Sequence, residues 1–270
     1  MLATVLIDNI SDENYCNEWG LCIHISHEGK SILLDTGASE KFSENAKKLG
    51  IDLEKVDIGV LSHAHYDHAD GMSRFFSVNS KAKFYLRKEC RENCYGRRLI
   101  FTKYIGIEKG LTEKYKDRIE YVSGTKEIAG SVWLAGHDTP DLQLIGKKDG
   151  LLIRENKKLL PDDFSHEQSL VIRTDKGLVI FNSCSHGGAD NIINEIARAF
   201  PEEHIHAIVG GFHLYRSKES EVRLLAEGIR KTGIDKIYTG HCTGDKAFRI
   251  LKQELGDKVF QLHVGMEIEA

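Results

Sequence analysis

Four apolar segments of this chain each run straight into a turn that carries a histidine: "GVLSHAHYDH" (59–68), "LVIFNSCSH" (178–186), "AIVGGFHL" (207–214) and "KIYTGHCTG" (236–244). Short apolar runs bounded by polar or glycine residues are strand signals. In layered α/β proteins the strand ends gather on one edge of the sheet, and ligands bind there. Histidines far apart in the chain are therefore expected to meet in space.

The first of these turns is the densest. In an extended stretch, residues 63, 65 and 67 point one way and residue 68 the other. A bend after the strand would aim His63 and His65 at one metal ion, and Asp67 and His68 at a second. Imidazole and carboxylate ligands suit Zn, and also Fe or Mn. Two ions roughly 3.5–4 Å apart can clamp a bridging hydroxide. Each ion needs further ligands, and His186 and His241 at later strand ends are the expected suppliers. A lone turn histidine would instead be read as a solvated residue; the clustering argues for metal.

The rest of the chain is patterned as follows. "ATVLIDN", "GLCIHIS", "SILLDTG" and "KFYLRK" read as strands, and "SEKFSENAKKLGI" as a helix with Ser39 as N-cap and Gly50 just past its end. "SLVIRTDKGLVIF" reads as two strands joined by an Asp-Lys-Gly turn. Helices are expected at "DNIINEIARAF", "KESEVRLLAEGIRKTG" and "DKAFRILKQEL", with strands between and after them. Residues 88–165 are the least regular, and a long irregular insertion of this kind serves as a lid or binding loop. Within it, Arg91, Arg97 and Arg98, with Lys103 nearby, are placed to grip a phosphate. Tyr95 or Phe101 could stack on a flat ring. The alternative is a solvated basic turn.

With 3 prolines in 270 residues and no low-complexity linker, the chain reads as a single domain over 1–270. The 41% hydrophobic and 29% charged content is ordinary for a globular protein. A net charge of −4 gives no reason to expect nucleic-acid binding by bulk charge. No apolar run approaches the roughly 20 residues that span a bilayer. The start, "MLATVLIDNISDENYC", is not a basic segment followed by an apolar stretch. We expect a cytoplasmic protein with a small-molecule substrate and neither nucleic-acid nor membrane partners. The six cysteines are expected as thiols in that compartment. Cys90 and Cys94 are four apart, could share a helix face, and read as unpaired thiols with no further metal ligands nearby.

"HAHYDH" resembles the H-x-H-x-D-H signature of the metallo-β-lactamase superfamily. "LLDTG" (33–37) resembles the strand and turn that precede it there, and "GHCTG" (240–244) the last histidine motif. "WGLCIHI", "SCSHGGADNI", "GGFHL" and "HCTG" together resemble one subgroup, which holds the methanopterin-type dihydropterin ribofuranosyl-aminobenzene phosphate synthase and uncharacterised relatives. The resemblance covers nearly the whole chain and is weakest in the insertion. It implies an α/β (α+β) fold, a four-layer αββα sandwich of two mixed β-sheets flanked by helices, with a dinuclear site at one edge.

Carried over position by position, the resemblance implies His63, His65 and His186 for metal one, and Asp67, His68 and His241 for metal two. It places Asp35 as a buried carboxylate that orients the ligand loop. One departure stands out. Where most members supply a metal-bridging Asp, this chain has "NSCSH", so Cys184 is either a ligand or a small buried residue, and one or two ions are possible. His166 in "FSHEQSL" competes with His186 for the third position at metal one, and His137 is a weaker rival. Asp67 and His213 are the candidate catalytic residues, His213 as a substrate contact or acid beside two glycines. Zinc-activated hydroxide implies a metal-dependent hydrolase, or a synthase that displaces diphosphate, acting on a small phosphorylated or pterin-like substrate. A phosphodiesterase or nuclease is the alternative within enzymes, although the chain lacks a basic stripe. A non-hydrolytic iron-binding or redox protein, with Cys184 as ligand, is the alternative of another class; related di-iron redox proteins carry a carboxylate where His65 stands, which argues against it.

Overall fold

Neighbouring side chains on single strands feed different cores. In the computed structural model, which describes residues 1–270, Ile32 and Leu34 of the strand Lys30–Leu34 enter one cluster and Leu33 another. In Gly177–Phe181, Val179 and Phe181 share the first cluster while Leu178 and Ile180 enter a third. Successive strand residues face opposite sides of a sheet, so a strand that is apolar at every position must be covered on both faces. Four layers satisfy that demand.

The first sheet has seven strands in the order Glu267–Glu269, Leu2–Ile7, Cys22–His27, Lys30–Leu34, Ile58–Val60, Lys83–Arg87 and Ile119–Val122. The second, also of seven, runs Val259–Gln261, Lys236–Thr239, Ile205–Gly210, Gly177–Phe181, Gln168–Thr174, Val132–Gly136 and Thr125–Ala129. Both are mixed; Gly177–Phe181, Ile205–Gly210, Lys236–Thr239 and Val259–Gln261 run parallel to one another. The cluster between the sheets draws Val5, Ile23, Val60, Leu170, Val209 and their neighbours from both. Helices Lys41–Lys48 and Met72–Val78 cover the outer face of the first sheet through Phe42, Ala46, Met72 and Phe75. Helices Ala189–Ala199, Glu219–Thr232 and Asp245–Leu255 cover the second, with buried Ile192, Ile193 and Ile196 on one and Val222, Ala226 and Ile229 on the next. Those three- and four-residue spacings make the apolar stripe of a surface helix. The α/β sandwich of two mixed sheets flanked by helices is thus present, and no helix is long and apolar enough to cross a membrane.

Three expectations are corrected. Residues 88–165 are not irregular. Ile119–Val122 extends the first sheet, and Thr125–Ala129 with Val132–Gly136 extends the second. The hairpin Cys94–Arg98/Phe101–Tyr104 joins Leu151–Glu155 and Lys158–Pro161 in a third, antiparallel sheet of four strands. These strands have four or five residues and an exposed side rich in Arg, Lys and Glu, so the alternation that marks a strand is too short to read. Cys94 opens a strand rather than sharing a helix face with Cys90. Finally, Ser39 does not cap the first helix, which begins at Lys41; its hydroxyl donates to Glu18 Oε2 at 2.6 Å.

Candidate metal centre

Strand ends deliver the site. Ile58–Val60 leads through Leu61 and Ser62 into His63, Gly177–Phe181 into the turn with Cys184 and His186, and Lys236–Thr239 into His241. The turns meet at one edge of the two sheets. Ring centroids lie 4.7 Å apart for His63 and His65, 4.3 Å for His63 and His68, 5.0 Å for His63 and His186, and 5.0 Å for His68 and His241. All five imidazoles and Asp67 are buried. His63, His65 and His186 can each offer a donor atom within 4.8 Å of the others, and Asp67 Oδ2 stands 3.5 Å from His241 Nε2 and 3.8 Å from His68 Nε2.

Buried polar atoms are almost always hydrogen-bonded. Here Nε2 of His63, His186 and His241 is buried with no partner, while His65 turns its Nε2 toward Asp162 Oδ2 at 3.5 Å. Three such orphans at one edge, with His65, a carboxylate and a thiol beside them, form a donor set that fits a transition metal ion.

The opposite nitrogens explain which lone pairs are free. His68 Nδ1 meets Asp35 Oδ2 at 2.8 Å, His186 Nδ1 meets Glu167 Oε2 at 2.6 Å, and His241 Nδ1 meets Asn9 Oδ1 at 3.1 Å. These oxygens only accept, so each Nδ1 carries a proton, and in the neutral ring the lone pair is on Nε2. Ser62 Oγ, 2.8 Å from His63 Nδ1, donates to Asp35 Oδ2 at 2.7 Å and so accepts from His63. Asp35, a non-glycine residue at φ +58°, also accepts from Ser62 N–H and Ser183 Oγ. One buried carboxylate therefore orients the loop from four sides, as second-layer partners of metal ligands do.

The same reasoning separates the rival histidines. His166 lies near His65, but its Nδ1 accepts from the backbone N–H of Ala64 at 3.2 Å. Its proton is therefore on Nε2, which faces Asp162 Oδ2 at 3.2 Å, and no lone pair is left for the cage. His137 stands outside, with Nδ1 on Glu195 at 2.8 Å and Nε2 shared by Ser169 and Asn182 at 3.2 Å. On this geometry both rivals stand apart from the group that His63, His65 and His186 form.

Cys184 occupies the middle. Its Sγ is 3.3 Å from His68 Nε2, and it belongs to donor sets with His63 and His68, with His241 and Cys242, and with His186 and His213. Cys242 Sγ lies 3.5 Å from it; the sequence sets Cys184 and Cys242 apart from the other cysteines, each beside a histidine in a Gly/Ser-rich turn, but assigns Cys242 no role at the site. Glu167 and Asn9 were missed too. Asn9 follows an apolar strand, the same signature that marks the histidine turns.

The field inside the cage is uneven. Burial pushes His186 down to about 4 against the opposing pull of Glu167, and burial with the neighbouring imidazoles holds His63 well below its usual range. Burial also opposes charge on His241 and His65, but Cys242 and Asp67 hold the first up at about 9, and Asp162 with Cys94 the second, also about 9. Burial would raise Asp67, yet His68 and His241 hold it well below the usual carboxylate range.

A cavity of about 490 Å³ opens on this cage. His65, Asp67, Cys184, His186 and Cys242 line it together with the aromatic rings of Trp19, Tyr66, Phe101 and Tyr215. The four-stranded sheet contributes Arg97, Arg98 and Lys103, and Arg216 also lines the cavity. His213, at φ +50°, lines the cavity with its ring 4.6 Å from that of His186 and its Nε2 3.6 Å from Asp149 Oδ2. Its approach depends on the preceding Gly211, where a Cβ would fall 2.5 Å from Cys242 Sγ. Two expected substrate contacts are absent from the cavity. Tyr95 packs on Tyr104 and under the Arg154 guanidinium, and Arg91 donates to the backbone oxygens of Lys88 and Cys90.

Comparison with known proteins agrees with the fold. The metallo-beta-lactamase superfamily is matched over residues 20–150. The chain is 27% identical, over 89% of its length and 84% of the relative, to a 7,8-dihydropterin-6-methyl-4-(beta-D-ribofuranosyl)-aminobenzene-5'-phosphate synthase of Methanocaldococcus jannaschii. The crystal structure of Tm1679, described as a metal-dependent hydrolase of the beta-lactamase superfamily, superposes with a TM-score of 0.85 at 33% identity, covering 100% of this chain and 99% of that one. Zn(2+)-bound PqqB from Methylobacterium extorquens shares the fold at a TM-score of 0.60 and 10% identity, over 100% of both chains.

Proposed function

The chain belongs to the metallo-β-lactamase superfamily, and on that premise we propose that it is a metal-dependent enzyme acting on a small phosphorylated substrate that carries a flat ring. The observation that carries this reading is the single cavity that joins the histidine cage to Arg97, Arg98 and an aromatic wall. His63, His65 and His186 would hold one ion, and Asp67, His68 and His241 a second, with Cys184 between them. Zinc suits these donors best among the candidates. When bound, such an ion supplies Lewis-acid polarisation of a carbonyl or phosphoryl oxygen.

The chain's own groups do the rest. Arg97 and Arg98 clamp phosphate oxygens, for which planar guanidinium forks are the natural partner. Phe101 and Tyr215 take the ring between their faces. His213, with Nδ1 unpartnered and Nε2 toward Asp149, holds a proton for the departing group. Buried Asp67 stays ionised and balances the charge of the cage.

Hydrolysis of an ester or phosphoester is the first reading. Displacement of diphosphate in a condensation is the second, favoured by the aromatic wall and by similarity to a relative named for a dihydropterin-bearing ribofuranosyl phosphate. Paired substrates with and without phosphate test the assignment on the zinc-loaded protein. Replacing Arg97 and Arg98 by alanine should raise KM at least about tenfold for the phosphorylated partner, the loss of one or two charge-assisted bonds, and leave the neutral partner alone. An equal rise for both would refute the phosphate reading.

A further inference from the structure

Behind His65 lies a second buried group of side chains that the cavity does not reach. Asp162 is fully buried and directs Oδ2 at two imidazoles, His166 Nε2 at 3.2 Å and His65 Nε2 at 3.5 Å. Its Oδ1 accepts from the backbone N–H of Phe164 at 2.8 Å, which stops the carboxylate from turning. Cys94 Sγ closes the pocket 3.8 Å from His166 Nε2. His65, Cys94, Asp162 and His166 are close enough to be mistaken for a metal set of their own. The Ala64 N–H bond to His166 Nδ1 argues otherwise, because it leaves a proton rather than a lone pair on His166 Nε2.

We propose that Asp162 is the positioning residue for His65: it keeps the proton on His65 Nε2, so that Nδ1 is the nitrogen His65 presents to His63 and His186. The other four cage histidines are held in the reverse sense, through Nδ1, by Ser62, Asp35, Glu167 and Asn9. Asp162 follows the strand Lys158–Pro161, and Cys94 opens Cys94–Arg98. The small sheet that carries Arg97 and Arg98 into the cavity thus also sets a cage nitrogen. Displacement of the sheet by substrate would be felt at His65, and loss of Asp162 would be felt as loss of metal.

The isosteric D162N exposes the logic. Phe164 N–H claims the amide oxygen, so the amide N–H₂ faces two ring N–H groups. His166 cannot shift its proton, because Ala64 N–H occupies Nδ1. His65 must move its proton to Nδ1 and thereby block the nitrogen that faces the cage.

The inference rests on the metal reading above, and the experiment distinguishes the two. Co(II) is titrated into the full-length protein against a competing chelator, and nitrogen-labelled histidine spectra of the loaded protein report which ring nitrogens remain protonated. The wild type should show one cage imidazole bound through Nδ1 and four through Nε2. D162N should bind Co(II) roughly ten- to a hundredfold more weakly, the usual cost of removing a second-layer partner, and lose the Nε2–H signal of His65. C90S, which disturbs the packing against the His166 carbonyl without touching His65, should bind as the wild type does. All five imidazoles bound through Nε2 in the wild type would overturn the proposal without any variant. So would unchanged affinity and spectra in D162N, or equal losses in D162N and C90S. A wild type that binds no Co(II) would instead bring down the metal reading itself.

Discussion

Each cage imidazole is committed at one nitrogen by a neighbour, and that commitment separates a ligand from a bystander. Glu167 is the partner of His186, at 2.6 Å. We expect Glu167→Gln to weaken zinc binding roughly ten- to a hundredfold while leaving the fold intact, measured by chelator competition; an unchanged Kd would mean that His186 is not a ligand. Protons compete with the metal. The metal-free protein keeps protons on His65 and His241, both held up at about 9 against burial by their acidic neighbours. A metal must displace them, so affinity should rise with pH from about 7 and level off above about 9, by up to about tenfold per unit for each proton released. A flat profile across that range would show that neither imidazole gives up a proton. Sequence made the ligand types legible here, because four strand ends carry histidines. It could not rank His186 over His166, since the Ala64 N–H that disqualifies His166 is 102 positions away.

Among the secondary-structure elements, the decisive feature is how closely strand ends approach. Gly210, at φ +143°, lies where a Cβ would come within 1.9 Å of the Asn182 carbonyl oxygen. Gly210→Ala combines backbone strain with a clash against main chain, and should cost about 2–4 kcal/mol of stability, read from urea unfolding of the metal-free protein. It should also disturb His213, three residues on. Wild-type stability would show that the two strand ends can part. The long helices were legible because their apolar stripes repeat over several turns, as at Val222, Ala226 and Ile229. The small sheet was not, because a strand such as Phe101–Tyr104, with three of its four residues exposed, has no buried alternation to announce it.

Across the whole molecule, the two sheets hold a cluster of buried polar groups at an edge that apolar cores support from three sides. Removing Phe181 from the central cluster by Phe181→Ala should cost about 3–5 kcal/mol, and should lower metal affinity only as far as it unfolds the protein. Metal bound to the folded state alone should stabilise it by about 2.7 kcal/mol at a free concentration of a hundred times Kd. Stripping zinc with a chelator should therefore lower Tm, and restoring it should reverse the fall; a Tm indifferent to metal would place the ion elsewhere or nowhere.

The sequence by itself determined the succession of strands and helices and the edge at which chemistry would gather, and its motifs carried the resemblance that implied the layered sandwich. Strand alternation, helical periodicity and the position of histidines after apolar runs are local properties of the chain. Only the tertiary structure decided which nitrogens are free, that Cys184 stands at the centre with Cys242 beside it, and that Arg97 and Arg98, but not Tyr95 or Arg91, reach the cavity. The reason is physical. A hydrogen bond between Asn9 and His241 spans 232 positions, and a lone pair's availability depends on such bonds rather than on the residues beside it in the chain.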